Sequence, residues 1–253
     1  LFLRSIEEIN WSVRDDASGV YLRSKPECVG PNVHRVNLIG QESGQDEVDE
    51  QWLVFHREVY SPEGKAVGRV EVAFSLRAED GQSDVQRIVP VPTSPLVVFF
   101  PTAVETNLGF LVQGPYRTTP SRDNIPRNDP WNKYLVKETA ELLVQALRWL
   151  RDQSMLDTFT LNCLPLDPDK FPEGSMFAPV FIAVRDALLD EPLLPKFGSG
   201  HIAAAKAKLG RTKELRELFD PKQIATLFSG EVHGWLSGDI TQDRTPELRQ
   251  YLM

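Results

Sequence analysis

Apolar and polar positions alternate through the first part of the chain, which predicts strands. Val70, Val72, Phe74 and Leu76 alternate with Glu71, Ala73 and Ser75, the period-two pattern of a half-buried strand. Val20-Tyr21-Leu22, Val33 to Ile39 and Trp52 to Tyr60 are further candidates, and Leu1 to Ile9 alternates imperfectly. Ser61-Pro62-Glu63-Gly64 separates two of these runs and reads as a hairpin turn. Leu96-Val97-Val98-Phe99-Phe100 is apolar throughout and predicts a central strand covered on both sides. Leu108 to Val112 is another short apolar run.

The period then changes. From about Trp131 to Asp152 the positions Leu135, Thr139, Leu142, Leu143, Ala146, Leu147 and Leu150 recur at spacings of three and four, which predicts one long amphipathic helix packing on the sheet. Its start is explicit, with Asp129 as N-cap and Pro130 at the first helical position. Beyond Gln153 helical patterns dominate, at Met176 to Leu189, Thr212 to Phe228 and Pro246 to Met253. Leu193 to Lys196 and His201-Ile202 read as short strands around Gly198-Ser199-Gly200. The expected class is α/β (α+β), a β-rich sheet layer packed by the long helix and followed by a smaller α-rich subdomain. The expected division is 1–153 and 154–253.

Composition narrows function mainly by exclusion. The 253 residues carry a net charge of -8, with 41% hydrophobic and 25% charged residues, an ordinary globular balance that argues against a broad nucleic-acid face. No apolar run approaches the roughly 18 residues that span a bilayer, so a cytoplasmic protein without membrane contact is expected. The strand-like start at Leu1 and the helical finish at Met253 read as a piece of a longer polypeptide. Glu42 to Glu50 carries five acidic residues and reads as a solvated loop. Cys28 and Cys163 are distant and read as ordinary reduced thiols. The histidines His34, His56, His201 and His233 lack a second ligand at helical or hairpin spacing, so no metal site is expected. No Walker loop, dinucleotide fingerprint or nucleophile elbow is present. Neighbouring acids such as Glu7-Glu8 and Asp15-Asp16 would point to opposite faces of a strand, which makes them poor catalytic pairs.

Chemistry concentrates between Leu108 and Asn132, LGFLVQGPYRTTPSRDNIPRNDPWN. Arg117, Arg122 and Arg127 sit on a loop that leaves an apolar strand and enters the capped helix. Guanidiniums beside a helix N-terminus suit an anion such as a phosphate. Equally, the arginines can pair with acids such as Asp123 and Asp129 on an ordinary surface loop.

LFLRSIEEI at the start, VVFFPT at Val97–Thr102 and FLVQGPYRTTPSRDNIPRNDPWNKYL at Phe110–Leu135 resemble the region that follows the ATPase domain in sacsin-like proteins. Val112-Gln113-Gly114-Pro115-Tyr116, Ser121-Arg122 and Trp131-Asn132 match that pattern in order, although Asp123 stands where it has a second arginine. PLLPKFGSGHI and WLSGDITQDRTPELRQYL resemble the same group of large bacterial ATPases. The sacsin ATPase module is similar to that of the 90-kDa heat-shock chaperone, and both are GHKL-class split ATPases. In that class a basic residue of the following domain reaches the γ-phosphate of ATP held by the N-terminal domain.

The resemblance therefore implies that Arg122 contacts the γ-phosphate, with Gln113, Arg117 and Asn124 lining the same surface. It implies ATP with Mg held by a preceding domain of the same polypeptide, and no nucleotide bound by this chain alone. The chain would then be a relay rather than an enzyme by itself. Two other readings differ in kind. One is a chaperone-like module for a protein client, for which Trp11, Trp52 and Trp235 are candidate contacts, although each also reads as a core residue. The other is a segment of a DNA-directed defence or repair ATPase, which the negative charge disfavours.

Overall fold

A computed structural model describes residues 1–13, 17–79 and 82–253, with the side chains of 79 and 82–85 also outside the description; the acidic pair Asp15-Asp16 lies outside the described residues. The fold is mixed α/β, with a ten-stranded sheet and six α-helices among the described residues. Two compact units divide it, Leu1–Leu142 and Leu143–Met253. No helix among the described residues is long and apolar enough to cross a membrane.

The first unit contains the large sheet. Its strands are β1 (Glu8–Val13), β2 (Ala17–Arg23), β3 (Glu27–Gly30), β4 (Val33–Glu42), β5 (Val48–Tyr60), β6 (Ala66–Glu79), β7 (Gln82–Val89), β8 (Pro95–Val98), β9 (Phe100–Glu105) and β10 (Leu111–Gln113). The spatial order is β1-β2-β4-β5-β6-β10-β8-β9, with β3 on β4 and β7 on β6. Every pairing is antiparallel except β10 with β8. Sequential hairpins build the β4-β5-β6 ladder. The β5–β6 turn is closed by Ser61 N–H donating to Lys65 O at 2.8 Å, with Gly64 at φ 77, a conformation that glycine adopts without a Cβ penalty.

Register sorts the side chains onto two faces. One carries Leu53, Phe55, Val70, Val72 and Phe74, all buried. Phe74 meets Phe55 edge-on with ring centroids 6.0 Å apart and packs on Phe110 at 5.1 Å. The other gathers Val36, Trp52, Val54, Ala73 and Val97 around Phe2, with Leu1 against the cluster. β6 is therefore buried on both faces at its centre rather than half-buried, and Glu71 and Ala73 are enclosed as fully as Val72.

Other expectations are corrected by packing. Leu1 to Ile9 is not one strand: Leu1 and Phe2 cover the sheet, and β1 begins only at Glu8. The Leu96–Phe100 run is not one central strand. It breaks at Phe99, where the chain reverses, and β9 forms an end of the sheet. Val48, Asp49 and Glu50 belong to β5, which shortens the acidic loop that Glu42 to Glu50 suggested.

Helix α1 (Pro130–Asp152) begins in the first unit and ends in the second. Leu135, Thr139, Leu142, Leu143, Ala146, Leu147 and Leu150 are all buried, the face that the spacing marks. Within the first unit, Arg57 on β5 donates from Nε to Glu138 at 2.6 Å and from Nη2 to Glu141 at 2.8 Å, gripping two carboxylates one turn apart.

The second unit holds α2 (Thr158–Leu161), α3 (Ala178–Asp190), α4 (Lys213–Leu218), α5 (Pro221–Leu227) and α6 (Pro246–Leu252), with short strands β11 (Leu194–Pro195), β12 (His201–Ile202), β13 (Ala207–Lys208) and β14 (Gly234–Trp235). The single helix expected over Thr212 to Phe228 is two. Pro221 cannot extend the helix before it, and Asp220 with Gln223 forms a capping box that starts α5. Ile224, Val232 and Trp235 form a small core. Arg148 holds Glu191 through two hydrogen bonds of 2.7 Å. Both cysteines are free; Cys28 is exposed, and burial pushes the Cys163 thiol up to about 12, leaving it protonated and inert at neutral pH.

Because Phe74 touches two other rings at no solvent exposure, Phe74→Ala should cost about 3–5 kcal/mol, read as a lowered urea unfolding midpoint with unchanged slope.

Candidate functional site

The arginine loop is shaped by what anchors it. Gly114 follows β10, and a Cβ there would lie 2.9 Å from the Tyr116 ring, so only glycine lets the chain pass this close. Tyr116 is buried, with its hydroxyl 3.2 Å from Thr139 Oγ1 on α1. Ile125, 2% exposed, anchors the far limb of the loop in the core. Trp131 Nε1 donates to Pro115 O at 2.9 Å. Asn132, buried, accepts from Arg117 N–H at 2.8 Å and donates to the carbonyls of Arg117 at 3.0 Å and Pro126 at 3.1 Å. One amide thus ties both limbs of the loop to the first turn of the helix.

Asp129 caps that turn as the sequence predicts. Its Oδ1 accepts from the N–H groups of Trp131 at 2.8 Å and Asn132 at 3.1 Å. Its Oδ2 receives Arg117 Nη1 at 3.2 Å. The positive helix end and Arg117 are therefore both served by a carboxylate that the chain itself supplies, which lowers their attraction for an external anion.

Arg122 is placed differently. Residues 119–124 make a tight turn in which Arg122 N–H donates to Thr119 O at 2.9 Å and Thr119 N–H to Asn124 O at 3.0 Å. Arg122 occupies the left-handed region at φ 59. Asp123, its neighbour, accepts from the Thr119 hydroxyl at 2.7 Å, and hydrogen bonds from Thr119 and Ser121 hold its carboxyl below the ordinary range. Arg122 reaches instead to the β8–β9 turn, where Nη2 donates to Val98 O at 2.6 Å and Phe100 O at 2.9 Å. The guanidinium lies over the Phe100 ring at 6.0 Å. Among the described residues Nε and Nη1 have no intramolecular acceptor. Asn124 is exposed and Oδ1 accepts from the Ile125 N–H at 2.8 Å. Arg127 is exposed.

The four residues that the resemblance singles out are thus not brought to one surface. Arg117, Arg122 and Asn124 share the loop, whereas Gln113 is 1% exposed in β10. In the ladder Gln113 stands opposite Glu71, and Glu71 opposite His56. His56 and His34 have ring centroids 5.0 Å apart, a proximity that strand pairing creates and linear spacing hides. Arg69 Nη2 lies 2.6 Å from Glu71 Oε1, and Arg4 approaches the same oxygen at 3.9 Å. Burial raises the Glu71 carboxyl against the opposing pull of Arg69 and Arg4. Burial also lowers His56 to about 4, helped by the charges of Arg69, His34 and Arg4. Among the described residues no group of three or more His, Cys, Asp or Glu side chains could hold a metal ion.

Trp52 and Trp235 are buried, so an exposed surface built on two of the three candidate tryptophans does not form. Exposed aromatic area lies instead at Phe99 and Phe100, 53% and 56% exposed. Their contribution, and that of the Val98 and Phe100 carbonyls, has no side-chain signature in sequence. Trp131-Asn132 did carry a signal, since a polar amide directly behind a cap at the start of an apolar helix face needs buried partners. Comparison with protein-family models found no matching family, and comparisons with curated proteins and with solved structures found no match.

Asn132→Ala strips three backbone groups of their partner and should destabilise by about 1–3 kcal/mol in chemical unfolding. The second expectation is a pH dependence. A histidine neutral in the fold and protonated more easily when unfolded contributes stability that is complete above its ordinary 6.5 and is lost as pH falls towards about 4. Glu71, raised by burial, titrates with the opposite sign, so the contrast is drawn between variants. His56→Gln should flatten the fall in unfolding midpoint across that window relative to the parent, and parallel profiles would refute the assignment.

Proposed function

We propose that this chain is the middle, transducer-type part of a sacsin-like GHKL ATPase in a cytoplasmic polypeptide. In this reading Arg122 meets the γ-phosphate of ATP, bound with Mg by a preceding domain, and the chain relays nucleotide state onward, with a protein client as a further partner. The observation that carries the proposal is the state of the Arg122 guanidinium. A guanidinium has five N–H donors, and both of those on Nη2 are taken by Val98 O and Phe100 O. Nε and Nη1 keep three donors for an external acceptor, on a group whose orientation is already set. That is the requirement for stabilising charge that develops on a transferred phosphoryl group. Arg117 is bound to Asp129 and is the weaker candidate.

The finer architecture belongs to the same proposal: α1 covers the sheet face that carries Leu53 and Phe55, and 154–253 is an α-rich subdomain. The ion pairs from Arg57 to Glu138 and Glu141 support that cover.

A second reading, a protein-binding module without a catalytic contribution, is favoured by the exposed Phe99-Phe100 pair. The two readings separate on one variant. In the full-length polypeptide Arg122→Ala should lower ATP turnover by about 10³-fold, the lower end for an arginine acting in trans, with nucleotide affinity retained. Turnover within about twofold of the parent, with binding intact and the protein folded, would remove Arg122 from the mechanism and leave the binding reading.

A further inference from the structure

The Phe99 turn is unusual in two linked ways. Val98 and Phe100 pair across the β8–β9 hairpin, leaving Phe99 as the single residue in the reversal. Its φ is 63, in the left-handed region that glycine enters freely and a phenylalanine does not. This reversal turns the carbonyls on either side of Phe99 towards one nitrogen, Arg122 Nη2. A second link joins the same elements, because Ala103 N–H on β9 donates to Arg122 O at 3.3 Å. Backbone and guanidinium of Arg122 are both fastened to one hairpin.

We infer that the Phe99 turn is a carbonyl clamp that sets the orientation of Arg122, which makes Phe99 a positioning residue for the anion contact of that arginine. The inference rests on the reading of Arg122 as the phosphate-contacting residue, and it adds the element that regulates it. A flexible arginine would spend rotamer freedom on each encounter with an anion, whereas a clamped one has already lost it. Strain at a bulky residue persists only where surrounding contacts over-determine the conformation. Here those contacts are the two hydrogen bonds to one charged group, each stronger than a neutral pair.

The clamp is a property of the Phe99 backbone, so substitutions that differ in tolerance for positive φ should sort by that tolerance. In the full-length polypeptide Phe99→Gly should keep ATP turnover within about twofold of the parent, because glycine holds the left-handed turn. Phe99→Val, β-branched and most averse to that conformation, should lower kcat at least about tenfold with KM for ATP unchanged. Phe99→Ala, a milder probe, should fall between them and serves if the valine variant does not fold. Adding Phe99→Val to Arg122→Ala should lower turnover no further than Arg122→Ala alone, because the turn acts through the arginine.

A readout without hydrolysis tests the clamp by itself. The Tm loss caused by Arg122→Ala should shrink to less than about half in the Phe99→Val background, or in Phe99→Ala if valine does not fold. Additive Tm shifts, or a Phe99→Gly variant as impaired as Phe99→Val, would overturn the clamp. Non-additive Tm shifts with normal turnover in Arg122→Ala would instead keep the clamp and overturn the phosphate contact.

Discussion

The arginine loop depends on one buried amide. Asn132 receives the Arg117 N–H and donates to the carbonyls of Arg117 and Pro126, so a side chain on the first helical turn closes a loop of about a dozen residues at its base. The amide supplies these backbone groups with partners inside the chain, beside the buried side chains of Tyr116 and Ile125. With the base closed, the hydrogen bonds within the 119–124 turn and the bond from Ala103 N–H to Arg122 O accompany the left-handed conformation of Arg122. Loop order here comes from polar satisfaction at the base rather than from apolar burial at the tip.

How much of this could be read along the chain follows from the range of each interaction. The cap at Asp129 and the helix start at Pro130 were legible because the code is local: an acceptor, a proline with no N–H to lose, then a periodic apolar face. The alternation in β6 was legible too, and gave the correct strand. What alternation could not reveal was that Glu71 lies inside a sheet buried on both sides, since its cover is brought from Phe2 and Arg4 far along the chain. The Leu96–Phe100 run misled for a related reason. Five apolar residues look continuous, but a strand is ended by backbone dihedrals, and nothing in the identity of Phe99 announces a positive φ. The arginine loop between a strand and a capped helix was legible; the carbonyls that Arg122 meets were not, because any residue has a carbonyl.

The polar group on the other sheet face shows how a ladder creates chemistry that linear spacing conceals. His34 and His56 are far apart in sequence and share no motif, yet strand pairing sets their rings together next to Arg69 and Glu71. Burial sets the direction, and the positive neighbours reinforce it. Desolvation favours the neutral imidazole of His56, Arg69 and Arg4 push the same way, and the opposing pull of Glu58 is the smallest of these effects. Gln113 belongs to this enclosed group and not to the arginine loop, although only three residues separate it from Arg117. The parity of a strand sets which face a residue joins, and a strand ending beside a loop can place its last residue out of reach of that loop.

The same loop contains two arginines with opposite electrostatic settings, and the contrast explains why one of them carries the functional proposal. Arg117 faces a carboxylate, Asp129, that also caps α1; to serve an incoming anion it must first give up a charged partner. Arg122 is held by two neutral carbonyls, which orient the guanidinium without cancelling its charge. Carbonyl dipoles stabilise a cation over short range only, so the field that a distant anion meets is still that of a full positive charge. Holding a cation by dipoles rather than by an opposite charge yields fixed orientation with undiminished attraction, and the left-handed turn at Phe99 accompanies that combination, because a regular strand does not place two of its carbonyls on a single nitrogen.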